Sequence, residues 1–184
     1  MAADTRFDWI AETMHLQPND RILEIGPGSS DSIAYLAARL DGGRIVGVER
    51  SVTAIARAAK RHAALIDCGK VHLLHAGLEK LDRTRVLAEI EPGTRGFDKV
   101  VAVNVNLFWT KRPTTELALI RQVLAPDGTL YLFYGYGQPD GHTRTSPKPA
   151  PGHLIDYLAT AGFDGDTVCS GDILGVVARP RRKS

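Results

Sequence analysis

Cysteine is scarce in this sequence, and that scarcity excludes several classes of protein. Cys68 and Cys169 are the only two cysteines among 184 residues, and they lie far apart in no paired motif. A disulfide framework or a cysteine-rich zinc site is therefore not expected, and both side chains are predicted to be reduced thiols. The histidines do not compensate, because His72 and His75 lie an odd number of positions apart on a predicted strand and so face opposite sides. No metal site is predicted.

Long hydrophobic runs and a strong charge imbalance are also lacking. No apolar run approaches the length that crosses a membrane, and the first ten residues lack the apolar core of a signal peptide. The formal net charge of +2 is too small to indicate nucleic-acid binding, and the basic residues at 179–183 are more typical of a solubilising tail. These absences predict a cytoplasmic protein without a membrane or nucleic-acid partner, and they leave its oligomeric state open.

The sequence does have a globular composition in which strand and helix patterns alternate. Hydrophobic residues make up 43% and charged residues 24% of the chain, which suits one domain over residues 1–184. A short amphipathic helix is predicted at residues 5–16. The strands and helices that follow indicate a parallel sheet with helices on both faces. The predicted strands begin at Arg21, Arg44, Val71, Phe97 and Thr129.

The end of the chain breaks this alternation. Two strand-like runs, Thr167–Ser170 and Ile173–Ala178, are separated by Gly171-Asp172, a dipeptide typical of a tight hairpin. The first run is polar and suits a sheet edge, whereas the second is apolar and suits an interior position. The last strand is therefore predicted to insert between the fifth and the sixth. The pattern as a whole predicts a single doubly wound α/β domain, whose mostly parallel seven-stranded sheet ends in an antiparallel C-terminal hairpin strand.

A glycine loop follows the first predicted strand, and it indicates a bound cofactor. In Gly26-Pro27-Gly28 the glycines lack a Cβ, so the backbone can approach a ligand closely. The helix predicted after Ser30 points its free N–H groups at the same place. The second strand ends on Glu49, whose two carboxylate oxygens can accept hydrogen bonds from both hydroxyls of a ribose. Together these features predict a nucleoside-containing cofactor.

These motifs, in this order, resemble those of the class I S-adenosylmethionine-dependent methyltransferases, whose domain is Rossmann-like. The resemblance extends from Arg21 to Arg179 and includes the antiparallel final strand. It rests on the following segments: Glu24-x-Gly26-x-Gly28, Glu49, the fourth-strand segment Asp98-Lys-Val-Val-Ala-Val-Asn104, and the turn Leu124-Ala-Pro-Asp-Gly128 before the fifth strand. The resemblance implies that S-adenosylmethionine is the cofactor.

The resemblance also implies which residues bind that cofactor. Glu24 would lie near its methionine amino group, and Asn104 would contact it through the backbone. Ser30 stands where the family has a third glycine, and its hydroxyl can cap the following helix. The predicted cofactor-binding residues are Glu24, Gly26, Pro27, Gly28, Ser30, Glu49, Arg50, Gly77, Leu78 and Asn104.

The adenine end of the predicted site departs from the family pattern. Gly77 and Leu78 fall where the family often carries an acidic residue. Either backbone contacts from Leu78 or a hydrogen bond accepted by Glu79 would replace the contact of that acidic residue with the adenine amine. Arg50 follows Glu49 at a position that is usually apolar in the family, and it either stacks on the adenine or is solvated.

The methyl acceptor is predicted to bind at the carboxyl end of the fourth strand, where open α/β sheets bind their ligands. The predicted substrate pocket consists of Asn106, Phe108, Trp109, Tyr134 and Tyr136. Structural packing is the alternative for Asn106 and Trp109.

A long irregular stretch, residues 135–152, follows the fifth predicted strand. Its glycines and prolines are typical either of a lid over the acceptor side or of an inert loop. His142 or His153, which lie in or beside this stretch, could act as a base.

The sequence thus predicts methyl transfer from S-adenosylmethionine to a small molecule, mainly by alignment of the acceptor with the sulfonium methyl group. No catalytic residue is assigned. The Pro-Pro-aromatic motif of the family's adenine and glutamine N-methyltransferases is missing after the fourth strand, which favours a small acceptor. One alternative is an NAD(P)-dependent oxidoreductase, which would need a third glycine where this chain has Asp31. The other is a non-catalytic protein that binds S-adenosylmethionine without turnover.

Overall fold

A seven-stranded sheet is the framework of this α/β fold. The computed structural model describes residues 5–90, 93–141 and 151–181. The strands are β1 (Arg21–Ile25), β2 (Arg44–Glu49), β3 (Val71–His75), β4 (Phe97–Val103), β5 (Leu124–Tyr134), β6 (Phe163–Ser170) and β7 (Ile173–Pro180).

The strand order across the sheet is β3-β2-β1-β4-β5-β7-β6. Neighbours among β1 to β5 run parallel, whereas β7 runs antiparallel to both β5 and β6. The predicted insertion of the last strand between the fifth and the sixth is therefore confirmed. The apolar β7 is buried from Ile173 to Ala178, while the polar β6 forms the edge, as expected for a strand whose unpaired backbone faces solvent.

Helices cover both faces of the sheet. They are α1 (Thr5–Thr13), α2 (Ser32–Ala37), α3 (Val52–Arg61), α4 (Ala63–Asp67), α5 (Arg83–Leu87), α6 (Asn106–Thr110), α7 (Thr114–Val123) and α8 (Gly152–Thr160), with a 3₁₀ turn at Leu78–Lys80. On one face, α1 and α2 bury Phe7, Ile10 and Leu36. On the other, α7 and α8 bury Ile120 and Leu158. None of the helices in the described ranges is long and apolar enough to span a bilayer.

One helix packs differently from its sequence pattern. The periodicity after Ser51 predicts one helix whose Val52, Ile55, Ala59 and Ala63 face inward, yet Val52 is 66% exposed, and Ala63, which is the first residue of α4, is exposed. Ala58 is the buried residue of this helix. The side chain of Ser51 accepts a hydrogen bond from the Ala54 amide, which caps the helix and leaves Val52 in a solvent-facing first turn.

Several boundaries also differ from the prediction. Helix α1 ends at Thr13 instead of residue 16, because His15 adopts φ +47 and stops it. The helix predicted at Asp82–Ile90 is shorter and covers Arg83–Leu87. Strand β5 begins at Leu124, five residues before the predicted Thr129, since Leu124 already pairs with Phe97 across a register shift. The Pro126–Gly128 turn is thus a bulge within the strand.

Candidate active site

A cleft of about 380 Å³ opens at the carboxyl ends of the parallel strands. It lies where the strand order reverses between β1 and β4, which is the usual ligand position in open α/β sheets. Segments after β1, β2, β3 and β4 contribute to it. The lining residues are Ile25, Gly26, Val48, Glu49, Arg50, Ala76, Gly77, Leu78, Glu79, Asn104, Val105, Asn106, Leu107, Thr110 and Lys111.

The glycine loop forms one wall of this cleft in a conformation that favours glycine. Gly26 has φ +65 and Gly28 has φ +60, in the left-handed region. The Gly26 amide donates a hydrogen bond to the Val48 carbonyl at 2.8 Å, which ties the loop to β2. A Cβ on Gly26 would lie 3.0 Å from Val105 Cγ2. The loop therefore packs directly against the turn that follows β4.

Glu49 is the best-placed polar group of the cleft for a ribose. Glu49 is 7% exposed. One carboxylate oxygen accepts a hydrogen bond from the Gly28 amide at 3.1 Å, and the other accepts from the Ser51 amide at 2.8 Å. Each oxygen has a second lone pair. The carboxylate is thus held in place by the backbone and can still accept two hydroxyl donors.

Glu24 lies behind the loop and does not line the cleft. It is 1% exposed, and its Oε1 accepts a hydrogen bond from the Ser32 hydroxyl at 2.5 Å. Ser32 Oγ also lies 2.7 Å from the Oγ of Ser30, which donates its proton to the Pro27 carbonyl. Glu24 Oε2 is buried and has no hydrogen-bond partner among the described residues. Burial raises the pKa of Glu24 to about 7, and the Ser32 hydroxyl opposes that rise.

Two residues of this network, Ser32 and His62, belong to none of the sequence motifs described above. Ser32, 2% exposed, connects Glu24 to the loop through its hydroxyl. His62, at the end of α3, is 3% exposed and lies close to the backbone of Ser30, and its Nε2 is buried without a hydrogen-bond partner among the described residues. Burial lowers the pKa of His62, so its ring is predominantly neutral at pH 7. Both residues hold the back of the glycine loop.

The adenine end of the cleft combines a buried leucine with two charged side chains. Leu78 is 6% exposed because its side chain belongs to the core, which leaves its backbone for the cleft. The carboxylate of Glu79 folds back over Gly77, where a Cβ would collide with it. Arg50 is exposed, and its carbonyl accepts a hydrogen bond from His75 Nε2. Glu79 therefore stands beside the position that lacks the usual acidic residue.

The predicted substrate residues separate into two groups. Asn106 lines the cleft, together with Leu107, Thr110 and Lys111 on the same side of α6. Phe108 does not, because it is 1% exposed and packs in the core. Trp109 is not among the residues that line the cleft either, and its ring packs against Tyr134 beside it.

The second group is an aromatic cluster beside the cleft, formed by Trp109, Tyr134 and Tyr136. The ring centroids of Trp109 and Tyr134 lie 5.7 Å apart, and those of Tyr134 and Tyr136 lie 6.1 Å apart in an edge-on arrangement. Tyr136 is 65% exposed. Among the described residues, no group of three or more His, Cys, Asp or Glu is arranged to hold a metal. His142 lies outside the described residues, and so does half of the predicted lid, residues 142–150.

Substitution of Gly26 with alanine tests the loop geometry. The φ of +65 and the 3.0 Å approach to Val105 Cγ2 should displace the loop and weaken S-adenosylhomocysteine binding about tenfold or more, the equivalent of ~1.4 kcal/mol. Gly69→Ala is the matched control, since Gly69 has φ +74 and nothing within 4 Å. Both variants should lose roughly 1–2 kcal/mol of stability from backbone strain. Equal cofactor affinity in the two variants, measured by calorimetry, would contradict the assigned role of Gly26.

The fold and the cleft define a Rossmann-like protein that binds a nucleoside cofactor. Comparison with known proteins identifies the family within this class. The sequence model of the methyltransferase domain family matches residues 23–130, which is more than half of the chain, so the chain belongs to this family. It is an S-adenosylmethionine-dependent methyltransferase. The NAD(P)-dependent oxidoreductase considered from the sequence is thereby set aside.

Solved structures share the whole fold at low sequence identity. A SAM-dependent methyltransferase from Aquifex aeolicus is 15% identical with a TM-score of 0.73, over 95% of this chain and 89% of that one. A TehB-like SAM-dependent methyltransferase from Corynebacterium glutamicum is 15% identical with a TM-score of 0.64, over 95% and 88%. The [4+2]-cyclase SpnF is 17% identical with a TM-score of 0.71, over 99% and 83%. A search of curated protein sequences finds no match.

Proposed function

We propose that this methyltransferase acts on a small molecule that carries a flat apolar group. The aromatic cluster of Trp109, Tyr134 and Tyr136 beside the cleft carries this proposal. Large rings that end in a hydroxyl or an indole N–H can hold a planar or aliphatic group and orient it with a hydrogen bond. The shared fold of the cyclase SpnF shows that architecture alone does not determine the reaction. The substrate class is therefore argued from the side chains at the site.

The cofactor is proposed to lie along the cleft with its ribose on Glu49. The residues present fit it: a carboxylate with two free acceptor sites, a glycine loop in which Gly26 has φ +65 and a Cβ would come within 3.0 Å of Val105, and a buried unpaired Glu24 Oε2 behind that loop. The adenine would then lie between Arg50 and the backbone of Leu78, with the Glu79 carboxylate as acceptor for its amine. Gly26 to Ser30 and the Asn104 backbone would face the methionine end.

The reaction needs alignment more than acid–base chemistry. Bound S-adenosylmethionine would supply a methyl group activated by its positively charged sulfur, and transfer of that group to an acceptor lone pair would leave the carbon–sulfur bonding pair on sulfur. In this proposal Asn106 orients the attacking atom from α6, and the aromatic cluster holds the acceptor and excludes water from one side. Such positioning and desolvation can account for most of the rate. A base is required only for an acceptor that must lose a proton before attack.

Trp109→Ala is the substitution that tests the acceptor wall. It should lower kcat/KM for the acceptor about tenfold or more, as loss of an aromatic contact worth ~1.4 kcal/mol would do. The S-adenosylhomocysteine affinity should stay within about twofold of wild type. Trp9→Ala is the matched control, because Trp9 packs edge-on against Phe133 from α1, away from the cleft. The assay is S-adenosylhomocysteine release over a panel of aromatic and aliphatic small molecules.

Two results of this assay would contradict the proposal. If Trp109→Ala keeps wild-type turnover on an accepted substrate, the aromatic cluster is packing and the acceptor binds elsewhere. If the wild-type protein binds S-adenosylmethionine and methylates no small molecule but does methylate a protein or nucleic acid, the acceptor class is wrong.

A further inference from the structure

The side chain of Asn104 makes two hydrogen bonds to one residue, Gly135. Its Nδ2 donates to the Gly135 carbonyl at 3.0 Å, and its Oδ1 accepts from the Gly135 amide at 2.8 Å. Both polar ends of the amide are thus used on one residue at the end of β5. Asn104 lines the cleft, its amide donates to the Phe133 carbonyl at 2.8 Å, and its side chain reaches to Gly135 on the acceptor side.

The Asn104 turn also touches the opposite side of the cleft. Val105, the next residue, approaches the glycine loop so closely that a Cβ on Gly26 would lie 3.0 Å from its Cγ2. Asn104 itself adopts φ +57, a left-handed conformation that asparagine tolerates better than most residues. One turn therefore contacts the glycine loop through Val105 and the start of the acceptor-side segment through Asn104.

Gly135 begins a segment that packs on other elements beyond this turn. Arg6 of α1 donates to the Gly135 carbonyl at 3.3 Å. Farther along, the Asp172 amide donates to the Gln138 carbonyl, and the Ser170 hydroxyl donates to the Pro139 carbonyl. Residues 135–141 are thus held on the β6–β7 turn at one end and by Asn104 at the other. The described first part of the predicted lid is anchored to the sheet.

We propose that Asn104 is a positioning residue that couples the cofactor loop to the acceptor-side segment 135–141. The inference rests on the proposed function of the cleft, and it assigns to the Asn104 side chain a role separate from the backbone contact with cofactor. Because Tyr134 and Tyr136 flank Gly135, the two hydrogen bonds fix the aromatic cluster relative to the glycine loop. A cofactor that orders the Gly26–Val105 contact would then order segment 135–141 through Asn104.

Amide hydrogen exchange on the full-length protein tests this coupling. The variants are Asn104→Gly, which retains a residue suited to φ +57, and Asn104→Asp, which retains an acceptor for the Gly135 amide. His15→Gly is the matched control, since His15 also has a positive φ (+47) and lies outside the cleft. Exchange is measured with and without S-adenosylhomocysteine, and affinity for that compound is measured by calorimetry.

The expected results separate a positioning role from a general structural one. In Asn104→Gly the Gly135 amide should exchange about tenfold or more faster than in wild type, while the amides of β4 and β5 keep their protection. Asn104→Asp should restore much of the Gly135 protection, and His15→Gly should leave it unchanged. At S-adenosylhomocysteine concentrations that saturate each protein, as set by the calorimetric affinities, the compound should add protection to residues 136–141 in wild type and not in Asn104→Gly.

Two outcomes would overturn the inference. One is unchanged Gly135 exchange in Asn104→Gly, and the other is ligand-dependent protection of residues 136–141 that survives this substitution. The ligand-free comparison of Gly135 does not depend on the cofactor. A wild-type protein that fails to bind S-adenosylhomocysteine would therefore contradict the proposed function. The exchange of the Gly135 amide without ligand would still show whether the Asn104 side chain holds segment 135–141.

Discussion

Replacing Glu24 with glutamine should make the protein more stable above neutral pH relative to wild type. Burial raises the pKa of Glu24 from its ordinary value of 4.5 to about 7. Between these two values the unfolded chain releases the proton and the folded chain retains it, so wild-type stability falls as pH rises through this window. The loss is about 3 kcal/mol, the equivalent of a pKa difference of roughly 2.5 units. Glutamine has the same shape, does not titrate, and can still accept from Ser32.

Urea unfolding of both proteins at pH 4 and pH 8 measures this effect. The difference in free energy of unfolding between Glu24→Gln and wild type should shift by about 3 kcal/mol in favour of the variant between the two pH values. Glu116→Gln, on the first turn of α7, is the control and should show no comparable shift. A pH-independent difference between Glu24→Gln and wild type would mean that Glu24 is ionised in the folded protein.

Replacing Glu49 with alanine should weaken cofactor binding by about 1–3 kcal/mol, which is roughly 5- to 150-fold in affinity. The ribose hydroxyls would lose their acceptor in a buried position. The Gly28 and Ser51 amides would lose theirs too, so the loop would no longer be held in its ligand-free conformation. Calorimetry with S-adenosylhomocysteine gives the affinity directly.

Glu49→Gln and Glu116→Ala are the controls for this substitution. Glutamine retains one carbonyl oxygen as acceptor and should give an intermediate affinity. Glu116 lies on α7, outside the cleft, and its replacement should leave the affinity unchanged. If Glu49→Ala binds S-adenosylhomocysteine as tightly as wild type, the ribose does not lie on Glu49.

Much of the fold can be predicted because local patterns and topology agree. The polar and apolar halves of the C-terminal hairpin determine which strand is the edge, and the structure places β7 between β5 and β6 as expected. The start of β5 could not be predicted, because Leu124-Ala-Pro-Asp-Gly128 reads as a turn and its pairing with Phe97 is a tertiary contact. The face of α3 was predicted wrongly for a similar reason: periodicity defines a stripe, and the N-terminal cap at Ser51 determines where the first turn lies.

The residues of the candidate site also divide into those that the sequence predicts and those that only the structure reveals. Gly26, Gly28 and Glu49 are recognisable because their roles follow from backbone freedom and from the end of a strand. Phe108 looks equivalent to its neighbours in sequence, but α6 turns it into the core while Asn106 and Thr110 face the cleft. That five-residue helix was not predicted. The hydrogen bonds between Asn104 and Gly135 span 31 positions and become visible only in three dimensions.

A crystal structure of the complex with S-adenosylhomocysteine tests the central claim most directly, because it locates every part of the cofactor relative to the proposed residues. Both ribose hydroxyls should lie within hydrogen-bond distance of the Glu49 carboxylate, the adenine beside Leu78 and Glu79, and the sulfur at the β4 end of the cleft, facing Asn106 and the aromatic cluster. A ligand bound elsewhere, or bound in this cleft with its ribose away from Glu49, would contradict it.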